Sequence, residues 1–179
     1  STRSNEIWAM YNTVLKHKIN SKTQLVLHHV HGFANGIAID NPKYHGVKDT
    51  QWMGVVTHLY YELTHDLSIG LRGEWFRDRD GFRNPSPCRV SAAMTGPDFS
   101  YAGDKRSITI MPADYYAVTA GLNWSAAKAL NIRWNAIKKL SIRPNIRYDR
   151  VDAYHAPVYR PYGGNKDQIL LSLDFVLPF

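Results

Sequence analysis

Ile169-Leu170-Leu171-Ser172-Leu173-Asp174-Phe175-Val176-Leu177-Pro178-Phe179 is the stretch that decides the fold. Every odd position is a large apolar residue: Ile169, Leu171, Leu173, Phe175, Leu177 and Phe179. The even positions include Ser172 and Asp174. A period of two is the signature of a β-strand, whose successive side chains point to opposite faces. One face here is wholly apolar and the other is mixed. In a water-soluble sheet the apolar face would pack on a core. In an outer-membrane barrel it would face lipid, with the mixed face toward a wet lumen.

The same alternation recurs upstream. Leu67, Ile69, Leu71, Gly73 and Trp75 alternate with Ser68, Gly70, Arg72, Glu74 and Phe76. Tyr116, Val118, Ala120, Leu122 and Trp124 alternate with Tyr115, Ala117, Thr119, Gly121 and Asn123. Leu140, Ile142, Pro144, Ile146 and Tyr148 alternate with Ser141, Arg143, Asn145, Arg147 and Asp149, and Met53 to Leu63 repeats the pattern. Each run is about ten residues long, the length with which a tilted strand crosses a bilayer. Pro144 lies on the apolar face and costs a ladder hydrogen bond unless it sits at a bulge.

Two earlier strands are less regular. Residues 5–19 carry Trp8, Met10, Tyr11, Val14 and Leu15, without a clear face. Residues 23–37 carry Leu25 and Leu27, then His28-His29-Val30-His31. A bulge at the histidine pair would keep Leu25, Leu27 and Val30 together.

The connections alternate in length. Asn20-Ser21-Lys22 and Thr64-His65-Asp66 read as short turns, whereas 38–50, 77–114 and 150–167 are long and rich in Gly, Pro and Asp. Short periplasmic turns and long extracellular loops are the outer-membrane arrangement. Residues 125–138 depart from it. Leu130, Trp134 and Ile137 have helical spacing and Ser125 can cap, which predicts a short periplasmic helix; continued strands turning near Ala136 are the alternative. The expectation is an all-β, antiparallel transmembrane β-barrel with about seven strands over residues 1–179. Single-chain bacterial barrels have even strand numbers and periplasmic termini. The expected remedy is a missing N-terminal part of the same barrel, with one overlooked strand in a small barrel as the alternative.

Composition agrees without deciding. The chain has 11 Tyr, 6 Phe and 5 Trp, and rings with polar tips suit membrane interfaces. A Tyr-rich soluble sandwich fits the totals equally well. No window approaches the roughly 18 apolar residues of a membrane helix. Cys88 is single, so no internal disulfide forms. The net charge is +7, spread along the chain with no block beyond Lys138-Lys139, which argues against a nucleic-acid partner.

Leu71-Arg72-Gly73-Glu74-Trp75-Phe76-Arg77-Asp78-Arg79-Asp80-Gly81-Phe82-Arg83 resembles a stretch of the β-barrel porin family described as OmpL-like. Tyr116 to Trp124 resembles that family's next strand, and Leu140 to Asp149 its R-P-x-x-R-Y-D stretch. The likeness is good over about residues 51–179 and weaker before. The family usually has an acidic residue where Asn145 stands. The resemblance implies an outer-membrane channel. It also implies that Leu173, Phe175, Leu177 and Phe179 form the C-terminal signal read by the barrel-assembly machinery.

Candidate pore-lining residues are Arg72, Glu74, Arg143, Arg147, Asp149, Asp174 and His58, with a lean toward anions from the surplus of Arg. Loop 77–114, the longest, is a candidate to fold inward and narrow the pore. No metal or cofactor is expected: a zinc site needs three or four convergent ligands, and alternation sets His28 apart from His29 and His31. Asp78-Arg79-Asp80-Gly81 resembles a calcium loop but lacks the later ligands, so a turn is expected. Ser141 and Ser172 have no strand-borne His beside them, which argues against an enzyme. Two function classes follow: a passive channel, or a barrel scaffold holding a lipoprotein, cytochrome or surface partner. Outer-membrane lipids are expected around either, and a homo-oligomer stays open.

Overall fold

The computed structural model describes residues 7–41, 44–81, 83, 112–131, 134, 139–154, 161–162 and 164–177, with side chains left out over 36–48. Seven strands form one sheet in chain order: β1 (Ile7–Lys18), β2 (Thr23–Asn41), β3 (Tyr44–Thr64), β4 (Leu67–Asp78), β5 (Ala113–Trp124), β6 (Ser141–Ala153) and β7 (Asp167–Val176). Every neighbouring pair is antiparallel. Hydrocarbon offers no water to a backbone N–H or C=O, so a spanning sheet must satisfy them strand to strand.

Register assigns the two faces. The row Leu171–Ile146–Ala120–Leu71–Leu59–Leu25 is continuous across six strands, so these side chains share a face. The opposite face carries Asp174, Arg143, Arg147, Asp149, Arg72, Glu74 and His58. Followed through the register, the apolar band climbs. Its lower edge is Phe175 on β7, but on β2 it starts at Leu25, in the row of Leu171. Its upper edge rises from Ile169, in the row of Leu27, to Phe33. The drift is about one residue per strand. A rise of about 3.4 Å against a strand spacing of about 4.8 Å is a tilt of roughly 35°, within the range of outer-membrane barrels.

Several expectations are corrected. The stretch expected as a loop over 38–50 is strand on both sides: β2 runs to Asn41 and β3 starts at Tyr44. Cross-strand pairing of Ile37 with Lys48 and Asp40 with His45 carries the hairpin past the other strands despite its loop-like composition. No bulge occurs at His28-His29; pairing there is continuous, and the irregularity falls between Ala34 and Ile37. Pro144 sits opposite Leu173 in an unshifted register rather than at a bulge. β4 and β6 run on to Asp78 and Ala153, shortening the connections expected over 77–114 and 150–167. Residues 84–111, 155–160 and 163, most of those two connections and of the loop expected to fold inward, lie outside the described residues.

Of the helix expected over 125–138, the described residues carry a single turn, α1 (Ala126–Ala129). Ser125 makes no side-chain cap bond, and Asn131 takes a positive φ of 52°, which ends the helical path. Ser125 N instead donates to Asp66 O at 2.7 Å, and Ala127 N to Leu140 O at 3.2 Å, binding this turn to its neighbour. Ile137 lies outside the described residues. At the other end, Asp78 to Gly81 is a turn, as expected, closed by Gly81 N donating to Asp78 O at 3.3 Å. Arg83 N donates to Asp78 Oδ2 at 2.8 Å, and Gly81 has a φ of 68° that suits glycine.

Candidate functional site: a charged wall on the polar face

The polar face is built by β4, β5 and β6. Glu74, Ala117 and Asp149 form one row, and Arg72, Thr119 and Arg147 the next. Arg147 Nη1 crosses β5 to bond Glu74 Oε1, while its Nε donates to Asp149 Oδ1 at 2.7 Å. Arg72 Nη2 donates to the other oxygen of Glu74 at 2.8 Å. Gln168 of β7 donates to Asp149 Oδ2 at 3.0 Å. Two guanidinium groups and two carboxylates from β4 and β6 are thus joined across β5. Ala117, 5% exposed, is the small side chain that lets Arg147 pass over β5.

Nearer the short-turn end, Arg143 Nε donates to Asn123 Oδ1 at 3.0 Å. Asn145, where the family usually has an acid, donates from Nδ2 to Asp174 Oδ2 at 3.3 Å and to its own strand at Arg143 O. As an amide, Asn145 can donate to the Asp174 carboxylate, which an ionised acid at this position could not do. Gly121 faces Asn145 across the strands, and a Cβ there would collide with the Asn145 amide.

The seven candidate lining residues therefore share one face. Arg72, Glu74, Arg147 and Asp149 form one connected group. Arg143 and Asp174 lie lower, linked through Asn145. His58 opposes Arg72 and bonds Tyr60, its Nδ1 3.2 Å from the hydroxyl, with the two rings stacked at 5.8 Å. Both central arginines are bonded to carboxylates.

The histidines are divided by the pleat. His28 shares the polar face with His58 and lies 3.3 Å, Nε2 to Oδ1, from Asn12. His29 and His31 lie on the apolar face, where both rings pack near Tyr11 at 5.6 Å. Among the described residues no group of three or more His, Cys, Asp or Glu side chains is placed to hold a metal.

Leu173 and Phe175 lie on the apolar face, in rows with Pro144 and Ile142. Leu177 follows β7 and is 42% exposed. Phe179 lies outside the described residues.

Reasoning from sequence missed the partner-making residues of the wall. Thr119, Asn123 and Gln168 are ordinary polar strand residues, and only the register brings them beside the charges. It also missed a second polar group on the apolar face at the long-loop end. There Asp114, 4% exposed, accepts from Arg77 Nε and Nη2 at 2.9 and 3.0 Å, from Trp75 Nε1 at 3.0 Å and from the Tyr154 hydroxyl.

A tilted antiparallel sheet, apolar on one side and lined with paired charges on the other, is the architecture of a β-barrel wall. Among the described residues β1 and β7 remain its two edges. The chain belongs to the family described as "Putative beta-barrel porin-2, OmpL-like", which it matches over residues 1–179. The match includes β1 and β2, where the sequence motifs were weaker. No curated protein and no solved structure matches the chain.

Proposed function

We propose that the chain forms part of the wall of an outer-membrane channel for passive diffusion of small polar solutes and ions. The observation that carries this reading is the connected group Arg72, Glu74, Arg147 and Asp149 on the face opposite the apolar band. Charges belong on the wet side of a barrel, where they contact permeating solute. Their mutual pairing favours a lumen that is polar yet close to neutral, so the preference for anions drawn from the Arg count becomes weak selectivity.

Leu173, Phe175, Leu177 and Phe179 are proposed as the signal read during barrel assembly. No cofactor or catalytic step is needed for diffusion.

Single-channel recording in a planar bilayer tests the reading. Steady, ohmic conductance steps are expected, with a reversal potential near zero in a KCl gradient. A folded barrel that stays silent and co-purifies with a lipoprotein or cytochrome would replace the channel with a scaffold.

A further inference from the structure

A cleft of about 330 Å³ opens between Gln51, Met53, Arg77, Arg79 and Tyr154. It lies on the apolar face, away from the charged wall. Register fixes the side: Met53 pairs with Arg77, two residues beyond the Val55–Trp75 pair. Gln51 lies two residues further on β3, opposite Phe33 of the apolar face. Trp75 pairs with Tyr116, an aromatic row of the kind that marks a membrane interface. The cleft begins just past that row, so on the outside of a barrel it sits at head-group depth. Solute in transit does not pass there, but lipid does.

The chemistry of the cleft is cationic above and apolar below. Asp114 holds the Nε and Nη2 of Arg77, whose side chain stays 42% exposed toward the cleft. The Arg77 guanidinium also lies over the Trp75 ring, 5.3 Å from its centroid. Arg79 is exposed, and its Nη1 reaches Gln51 Oε1 only at 3.5 Å, the long limit of a hydrogen bond. Since Asp114 offsets Arg77, Arg79 supplies the excess positive charge. Below, Met53 and Val55 continue down β3 on the same face, along the route an acyl chain would take.

We propose that this cleft holds the phosphate of an outer-leaflet lipid head group. Arg79 and Arg77 donate to the phosphate oxygens, and the acyl chain follows Met53 and Val55. Guanidinium groups suit this role because they are always charged and present several donors in a plane. The inference rests on the membrane orientation proposed above.

Native mass spectrometry of the full chain in detergent tests it. The probes are a bis-phosphorylated glycolipid, the same glycolipid without phosphates, and inorganic phosphate as competitor. Heat-modifiable gel mobility first establishes that each sample is a folded barrel. A sample that never forms one removes the channel reading and this inference together. In folded wild type, retention of the phosphorylated lipid about tenfold above its dephosphorylated counterpart is expected. Arg79→Gln should lose most of that preference, and Arg79→Lys should keep part of it. Equal retention of both lipids by folded wild type overturns the lipid site while leaving the channel reading intact. Undiminished preference in Arg79→Gln overturns it as well. So does complete displacement by an equal concentration of inorganic phosphate, which would make this a site for the free anion.

Discussion

Arg147 on β6 bonds Glu74 on β4 by reaching over β5, the strand between them. The contact needs three things at once: an arginine long enough to cross, an acid in the far strand, and a small residue beneath. Ala117 provides the last, in the row of Glu74 and Asp149. The wall is therefore braced across three strands as well as charged.

Removing one sign from the wall should expose the other. Glu74→Gln removes the carboxylate that Arg72 and Arg147 share, leaving Arg147 only Asp149, and should move the reversal potential in a KCl gradient toward anions. The double change Arg72→Glu with Arg147→Glu should move it toward cations. Arg147 is a third exposed, so its ion pairs are screened by water. Each is worth no more than about 1 kcal/mol to stability. The barrels should thus still fold, and an unchanged reversal potential in both would remove these residues from the lumen.

Ala117→Leu places four carbons where Arg147 crosses. The guanidinium must then leave Glu74 or the strand must shift. Overpacking costs about 1–3 kcal/mol, expected as a lower urea midpoint for barrel unfolding. Ala120→Leu, on the opposite face of the same strand in the row of Leu71 and Ile146, should be tolerated. Equal losses in the two would show that the crossing contact does not brace the wall.

The alternation ending in Phe175 and Leu177 was enough to reveal the fold, because a barrel strand writes its two environments directly into odd and even positions. It also put all seven candidate wall residues on a single face. What it could not reveal was who bonds whom. The Arg147–Glu74 contact joins residues 73 apart in sequence and depends on the register of two strand pairs. The histidine stretch misled for another reason. His29 and His31 stand on the apolar face beside Leu25 and Leu27, so polarity there suggested a bulge that the pairing does not contain. Their aromatic packing with Tyr11 crosses to β1 and is invisible locally. The 38–50 segment differs for a local reason: Gly46, Asp40 and Asn41 read as a loop, while pairing within the β2–β3 hairpin keeps them extended.

Tyr154 gives a titration that the fold should govern. Burial, together with the Asp114 carboxylate, pushes its hydroxyl up to about 12 from an ordinary value near 10. A group whose folded value is raised contributes stability that is complete below the unfolded value and lost as pH rises through the folded one. The contribution should therefore be whole below about pH 10 and gone above about pH 12. Tyrosinate absorbance should include one late-titrating group in wild type that is absent from Tyr154→Phe. Identical titration curves, after allowing for the lost tyrosine, would mean that Tyr154 does not bond Asp114 in solution.

The assignment of lipid and lumen faces is open to a direct comparison on β7. Leu171 and Ser172 are adjacent, but Leu171 pairs with Ile146 on the apolar face and Ser172 with Asn145 on the polar one. An arginine facing lipid near mid-bilayer costs about 2–4 kcal/mol, whereas one facing a wet lumen costs little. Leu171→Arg should therefore lower barrel stability by about that amount and reduce the folded fraction during refolding into lipid vesicles. Ser172→Arg should refold like wild type and shift selectivity toward anions. The contrast separates a membrane barrel from a soluble sandwich. In a sandwich the apolar face would be a dry core, so Leu171→Arg would also be costly, but the chain would fold without lipid and Ser172→Arg would change no conductance. The reverse result, with Ser172→Arg destabilising and Leu171→Arg harmless, would turn the sheet inside out and move the charged wall out of the pore.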